Sequence, residues 1–261
     1  MAIVSVLAFT AVASATTLTI SNFTNEWKNM TLDNGSTVTP SGDTISWGTG
    51  NVLSSYTWAN AGLNFEVTVD TPFKLGTFTH NNFPISGAAL DTVDLLLNFS
   101  IGLNGDFINK SYTFNFTHDE TDNVSWPNRC KYPNSETRCD DKVIISEFLN
   151  YEFVIGEDDN YTYYFSLLGF SKNGGYTSSL DFLTNESANN SSSLYGIITT
   201  TEIVRDGDGG YHFECEDLGT CDDEGEFLGN DPSAVPEPGS ILLLGTGIVG
   251  LGIVVRRRIK K

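Results

Sequence analysis

Basic residues are scarce in this chain. Lys and Arg number 14, against 33 Asp and Glu and 3 His, for a formal net charge of −19 over 261 residues. Five of the 14 crowd into the last six positions, so the rest of the chain is more acidic still. A surface of that sign excludes nucleic acid and anionic membrane surfaces as partners of the body, because both are held by lysine and arginine. It suits solubility and divalent cations. Helical periodicity is nearly missing, which points away from a helical architecture. Several enzyme signatures are missing too: no Gly-x-Ser-x-Gly elbow, phosphate loop or His-Glu-x-x-His occurs. Carboxylates abound, yet no spacing selects the pair that glycoside hydrolysis needs at a set separation in a cleft. Long apolar runs are confined to the two ends.

Cysteine is also sparse, with four residues: Cys130, Cys139, Cys215 and Cys221. An even count in an exported chain reads as disulfides. Each neighbouring pair encloses a short, mostly polar loop, which predicts Cys130–Cys139 and Cys215–Cys221, although four cysteines allow three pairings. A four-thiolate zinc site is the rival. Neither pair has the two-to-four-residue gap usual for zinc ligands.

What is present is short-period alternation. Leu63 to Val69, Tyr112 to Thr117, Val143 to Phe148, Tyr151 to Ile155, Tyr161 to Phe170 and Leu194 to Val204 alternate apolar and polar residues. Asp91 to Ile101 is more continuously apolar, as a central strand would be. Clusters of Gly, Asn, Asp and Ser separate these runs. The pattern predicts an all-β, antiparallel β-sandwich, jelly-roll-like, over residues 16–213. Residues 214–234 are acidic and Gly-rich and read as a flexible spacer.

The two ends carry addresses. Ile3 to Val12 is apolar and Ala13-Ser14-Ala15 is a small-residue cleavage box, so residues 1–15 read as a signal peptide and the mature chain starts at Thr16. No Lys or Arg precedes the apolar stretch, which departs from the usual pattern. At the other end, residues 235–261 contain Pro236-Glu237-Pro238, an uncharged stretch from Ile241 to Val255, and the cations Arg256, Arg257, Arg258, Lys260 and Lys261. Ile241, Leu242, Leu243, Leu244, Val249, Leu251 and Val255 supply the apolar surface of a transmembrane helix. As a helix the stretch spans roughly 22 Å, short for a hydrocarbon core of about 30 Å. The basic stop holds its end in the cytoplasm and leaves the large domain outside. The two prolines keep the preceding segment extended, a form that enters an enzyme cleft.

Pro-Glu-Pro, an apolar span and a terminal basic cluster, in that order, resemble the PEP-CTERM sorting signal of Gram-negative-type bacteria. The resemblance implies an exosortase-type membrane enzyme as partner. It also implies at least transient membrane insertion, an inner-membrane-anchored precursor, and a final place at the cell surface or in the medium.

Within the body, Phe73 to Ile85 is the most distinctive segment. It contains Thr79-His80-Asn81-Asn82, a Thr-His-x-Asn pattern. With Ser46-Trp47-Gly48 upstream and Asp94-Leu95-Leu96-Leu97-Asn98-Phe99 downstream, it resembles the THxN family of PEP-CTERM proteins and the extracellular choice-of-anchor K domain. Those families imply exported surface domains and give no catalytic residue to transfer. Thr79, His80 and Asn82 suit a sugar or a metal chemically. The reading we favour from sequence is structural, with His80 and Asn82 bonding backbone groups of their own turn. His118 and His212 could join from elsewhere in the chain.

Three acidic clusters complete the inventory: Asp119-Glu120-x-Asp122, Glu157-Asp158-Asp159 and Asp206-Gly207-Asp208. None completes an EF-hand loop, and turns use the same residues. Ca2+ is the cofactor these oxygens would suit, with Asp206 and Asp208 the best candidates. The sequence as a whole predicts a non-enzymatic exported surface or matrix protein bound to or embedded in exopolysaccharide. Its rivals are a secreted carbohydrate-active enzyme using surface carboxylates and a permanently membrane-anchored module.

Overall fold

A computed structural model describes residues 16–40, 42–122, 130–136, 139–156, 161–172 and 174–205, and the backbone of 211–213. These belong to the unit Met1–Glu214; a second unit, Cys215–Lys261, lies outside the described residues. So do the signal peptide, Asp206 and Asp208, Cys215 and Cys221, and the whole sorting tail. Among the described residues no helix is long and apolar enough to cross a membrane.

Among the described residues every element is a strand. In chain order they are β1 (Thr17–Leu32), β2 (Thr37–Val38), β3 (Thr44–Trp47), β4 (Ser54–Asn60), β5 (Phe65–Thr68), β6 (Phe73–Asn82), β7 (Leu90–Leu103) and β8 (Asp106–Asp119). They continue with β9 (Asp141–Ile145), β10 (Tyr151–Ile155), β11 (Tyr161–Ser171), β12 (Asp181–Thr184), β13 (Ala188–Thr199), β14 (Ile203–Arg205) and β15 (Tyr211–Phe213). One sheet runs β12-β9-β8-β7-β1-β2, with β5 also on β1; the other runs β10-β11-β13-β6-β4-β3. All pairings are antiparallel. β7, β8 and β9 form a meander, and β14 pairs β15 in a separate hairpin.

The sheets close on one apolar core, as alternation requires. Trp27, Leu95, Phe114 and Phe116 from the first sheet meet Trp58, Phe78 and Phe165 from the second, all of them buried. Aromatic rings bridge the layers: Phe78 to Phe116 at 5.3 Å, Phe99 to Phe165 at 5.9 Å and Trp27 to Tyr56 at 6.2 Å between centroids. The apolar segment Asp91 to Ile101 lies within β7, between β1 and β8, at the middle of its sheet. The alternating runs around Tyr112, Val143, Tyr151 and Tyr161 lie in β8 to β11. Two strands depart from the sequence reading. β1 carries no sustained alternation, and the first half of β13, from Ala188, is polar on both faces. Cys130 and Cys139 are joined by a disulfide that closes the segment leading into β9.

Candidate functional site

The core-facing rows of the sandwich change character at one end. Along β6 the inward positions run Leu75, Phe78, His80, Asn82, and along β8 they run Tyr112, Phe114, Phe116, His118. Period-two geometry carries both imidazoles inward, one from each sheet. Their ring centroids stand 5.1 Å apart. β9 contributes Asp141, β4 Tyr56, β3 Trp47 and β12 Thr184, while Glu120 follows β8 and Glu186 sits in the turn after β12. His80, Asn82, Asp141, Tyr56 and Thr184 are all fully buried.

Hydrogen bonds fix each side chain. The Tyr56 hydroxyl lies 2.7 Å from His118 Nδ1. His118 Nε2 lies 3.0 Å from Glu120 Oε2 and 3.9 Å from Asp141 Oδ2. Thr121 N donates to Asp141 Oδ1 at 2.8 Å. His80 Nδ1 lies 2.8 Å from Thr184 Oγ1, which itself donates to the Asp141 carbonyl at 3.3 Å. That donation leaves Thr184 Oγ1 to accept from His80 Nδ1–H, so Nε2 of a neutral His80 is an acceptor. His80 Nε2, Asp141 Oδ2 and Asn82 Oδ1 are buried with no hydrogen-bond partner. Trp47 stacks on His80, with centroids 5.6 Å apart and planes 27° apart, and meets Tyr56 edge-on at 4.7 Å.

The electrostatics follow from burial. Desolvation, then the neighbouring Glu120, pushes Asp141 up to about 7, against the opposing pull of His118 and the Thr121 amide. Burial, then His118, holds His80 well below its usual range. Tyr56 is pushed up by burial, then by Asp141 and Glu120, so its hydroxyl stays neutral. A neutral His80 imidazole near a carboxylate is metal-ligand chemistry. The ligand atoms of His80, His118 and Asp141 lie within 4.8 Å of one another, and so do those of Glu120, Asp141 and Glu186.

The Thr-His-x-Asn motif is therefore split between two faces. His80 and Asn82 point into the core, and Thr79 points out, its Oγ1 2.8 Å from Ser191 Oγ. The local turn bonding expected of His80 and Asn82 is not what they make. His80 bonds the Thr184 side chain and Asn82 Nδ2 donates to the Thr184 carbonyl at 3.1 Å, both across more than 100 residues of chain. The turn closing β6 is held instead by Ser54, whose Oγ accepts from Phe83 N and donates to Phe83 O. Trp47, from another segment carrying the family resemblance, reaches the same centre. His118 joins it; His212 lies in β15, opposite Val204.

Sequence reasoning missed Tyr56, Asp141 and Glu186, and read Glu120 as part of a turn. The two histidines were open to detection, since each extends an inward aromatic row by one more step of two. Asp141 was not, because nothing local distinguishes it from Asp140.

On the outside, the second sheet presents rows of hydroxyls and amides. Thr44, Thr57, Thr79 and Ser191 stand in register across four strands, beside a second row of Ser46, Ser55, Asn81 and Asn189 in which Ser55 is buried. Thr44 and Thr57 hydroxyls lie 3.1 Å apart, and Asn81 Nδ2 donates to Ser55 Oγ at 2.9 Å.

No curated protein matches the chain. Residues 234–258 match the PEP-CTERM protein-sorting motif. That match covers the tail alone, and it implies export, transient membrane anchoring and processing by an exosortase.

Proposed function

We propose that this protein is a non-enzymatic component of the extracellular matrix, released by an exosortase-type enzyme and then bound to or embedded in exopolysaccharide. The sorting motif at residues 234–258 is the observation that carries export and processing. The polysaccharide half is supported by the outer face of the second sheet, whose aligned Thr, Ser and Asn side chains match the hydroxyls of a flat glycan chain. The resemblance of Thr79-His80-x-Asn82 to the THxN and choice-of-anchor K domains agrees, since those are exported surface modules.

The rival enzyme needs an acid of raised pKa in an open cleft. Asp141, raised to about 7, is fully buried, where no glycan reaches it; Asp70, also raised by burial, is exposed in the turn between β5 and β6. The burial of Asp141 weighs against it as the acid of a glycan-cleaving enzyme.

Co-sedimentation with the cell's own exopolysaccharide tests the binding half. The Thr57→Ala/Thr79→Ala double variant should bind at least several-fold more weakly with its stability nearly unchanged. Equal sedimentation of wild type and variant would remove this face from the account. Hydrolysis of a glycan panel, abolished by one Asp or Glu substitution, would replace the proposal with a carbohydrate-active enzyme.

A further inference from the structure

We propose that the buried end of the sandwich is a binding site for a first-row divalent transition metal ion, with zinc the natural probe, ligated by His80, His118 and Asp141 and completed by Glu120 or Glu186. This site is independent of the polysaccharide reading, because its side chains point into the core while the hydroxyl rows point out.

Three observations carry it. First, the ligand atoms already converge. Around a tetrahedral ion with bonds of about 2.0–2.1 Å, neighbouring ligand atoms stand roughly 3.3 Å apart. The distances of His118 Nε2 to Glu120 Oε2 and to Asp141 Oδ2, 3.0 and 3.9 Å, bracket that value. Side-chain shifts of under about 1 Å would close the set.

Second, two of the atoms have nothing else to do. His80 Nε2 and Asp141 Oδ2 are buried acceptors without a donor. Each such group left unsatisfied costs about 1–3 kcal/mol. Two acceptors in one small space are satisfied together by a cation. Among the described residues neither Asp141 nor Glu120 makes an ion pair with a lysine or arginine.

Third, the outer shell is built. A ligating imidazole donates its second ring N–H to a fixed acceptor, which sets tautomer and orientation. His80 Nδ1 does so to Thr184 Oγ1, and His118 Nδ1 faces the Tyr56 hydroxyl at the same kind of distance. Trp47 and Tyr56 wall the imidazoles, and Thr121 orients Asp141 through its other oxygen.

The donor set chooses the metal class. Calcium and magnesium take oxygen ligands; two imidazole nitrogens with carboxylates suit zinc, manganese, iron or cobalt. The ion would join the sheets, because His80 belongs to one and His118 and Asp141 to the other. Its role in so closed a place is structural.

The test uses the full chain in detergent under non-reducing conditions, stripped with EDTA and titrated with zinc. One ion should bind per chain, and Tm should rise by about 5–10 °C with free zinc at 100 times Kd. Cobalt in place of zinc should give the visible absorption of a low-coordinate site with nitrogen ligands. His80→Gln and Asp141→Asn should each lose at least tenfold in affinity, while His212→Gln should lose none. If those variants fail to fold, the wild-type stoichiometry and the cobalt spectrum decide alone. No binding and no Tm response to zinc, manganese, iron or cobalt would overturn the proposal and leave the Asp141 proton or a water between the two atoms. Binding that survives in both His80→Gln and His118→Gln would overturn it equally, placing the ion elsewhere.

Discussion

Asp141 is the side chain whose chemistry depends most on being folded. Its ordinary pKa is 3.8, and burial raises it to about 7. A carboxyl with a raised folded pKa contributes stability that is complete below the unfolded value and is lost as pH rises through the folded one. In EDTA, the stability of wild type relative to Asp141→Asn should therefore fall between pH 4 and 7, with a ceiling of about 4 kcal/mol. Urea titrations of both proteins across that range measure the difference. A flat difference would mean that Asp141 stays ionised in the fold. His80 is shifted the opposite way, but its contribution is common to both proteins and cancels.

Elements here are shaped by breaks as much as by regular pattern. β1 is 16 residues long, yet its buried positions fall at Leu18, Ile20, Phe23, Trp27 and Met30. The register against β7 shifts between Ser21 and Thr24 and again between Lys28 and Thr31. Asn22 and Asn29 sit in those gaps with φ of 54° and 49°. Each bulge re-phases the strand so that the next apolar residue still meets the core. A period-two search cannot follow such a strand, and for that reason β1 escaped the sequence reading. Asn tolerates left-handed backbone and β-branched residues do not. Asn29→Val should cost about 1–2 kcal/mol in urea denaturation and Asn29→Gly close to nothing. Equal losses would instead assign the cost to the Asn29 Nδ2 bond to Asp94 Oδ2, 2.7 Å long. The Cys130–Cys139 bridge closes a loop of nine residues' separation just ahead of Asp141. Chain entropy gives such a crosslink about 2–3 kcal/mol. Cys130→Ser/Cys139→Ser should lose that much and, by loosening the approach to β9, weaken zinc binding as well. Loss of stability with zinc affinity unchanged would separate the bridge from the centre.

For the whole molecule, the tail decides destination and the sandwich decides what arrives. The intact mass of protein recovered from its own cells and medium tests the first part. The mature chain should begin at Thr16, end near Pro236 to Pro238 and weigh two hydrogens less for each disulfide. Replacing Pro236, Glu237 and Pro238 by Ala should leave the full-length form in the membrane fraction. A wild-type form ending at Lys261 in that fraction would make the tail a plain anchor.

The sorting signal, the β class and the Cys130–Cys139 pairing were legible in the sequence because each rests on order or spacing within a short stretch of chain. A basic cluster after an apolar span acts where it stands, and alternation along one strand needs no partner to be recognised. The buried centre was not legible. His80, His118 and Asp141 lie on three strands in two sheets, and only the closing of those sheets brings their atoms within 4.8 Å. The polar half of β13 was hidden for the same reason: its Ser and Asn residues are held in a strand by their register against β6. Local pattern fixes what a segment can become, and long-range pairing supplies the neighbours that give a side chain its protonation state and its ligand.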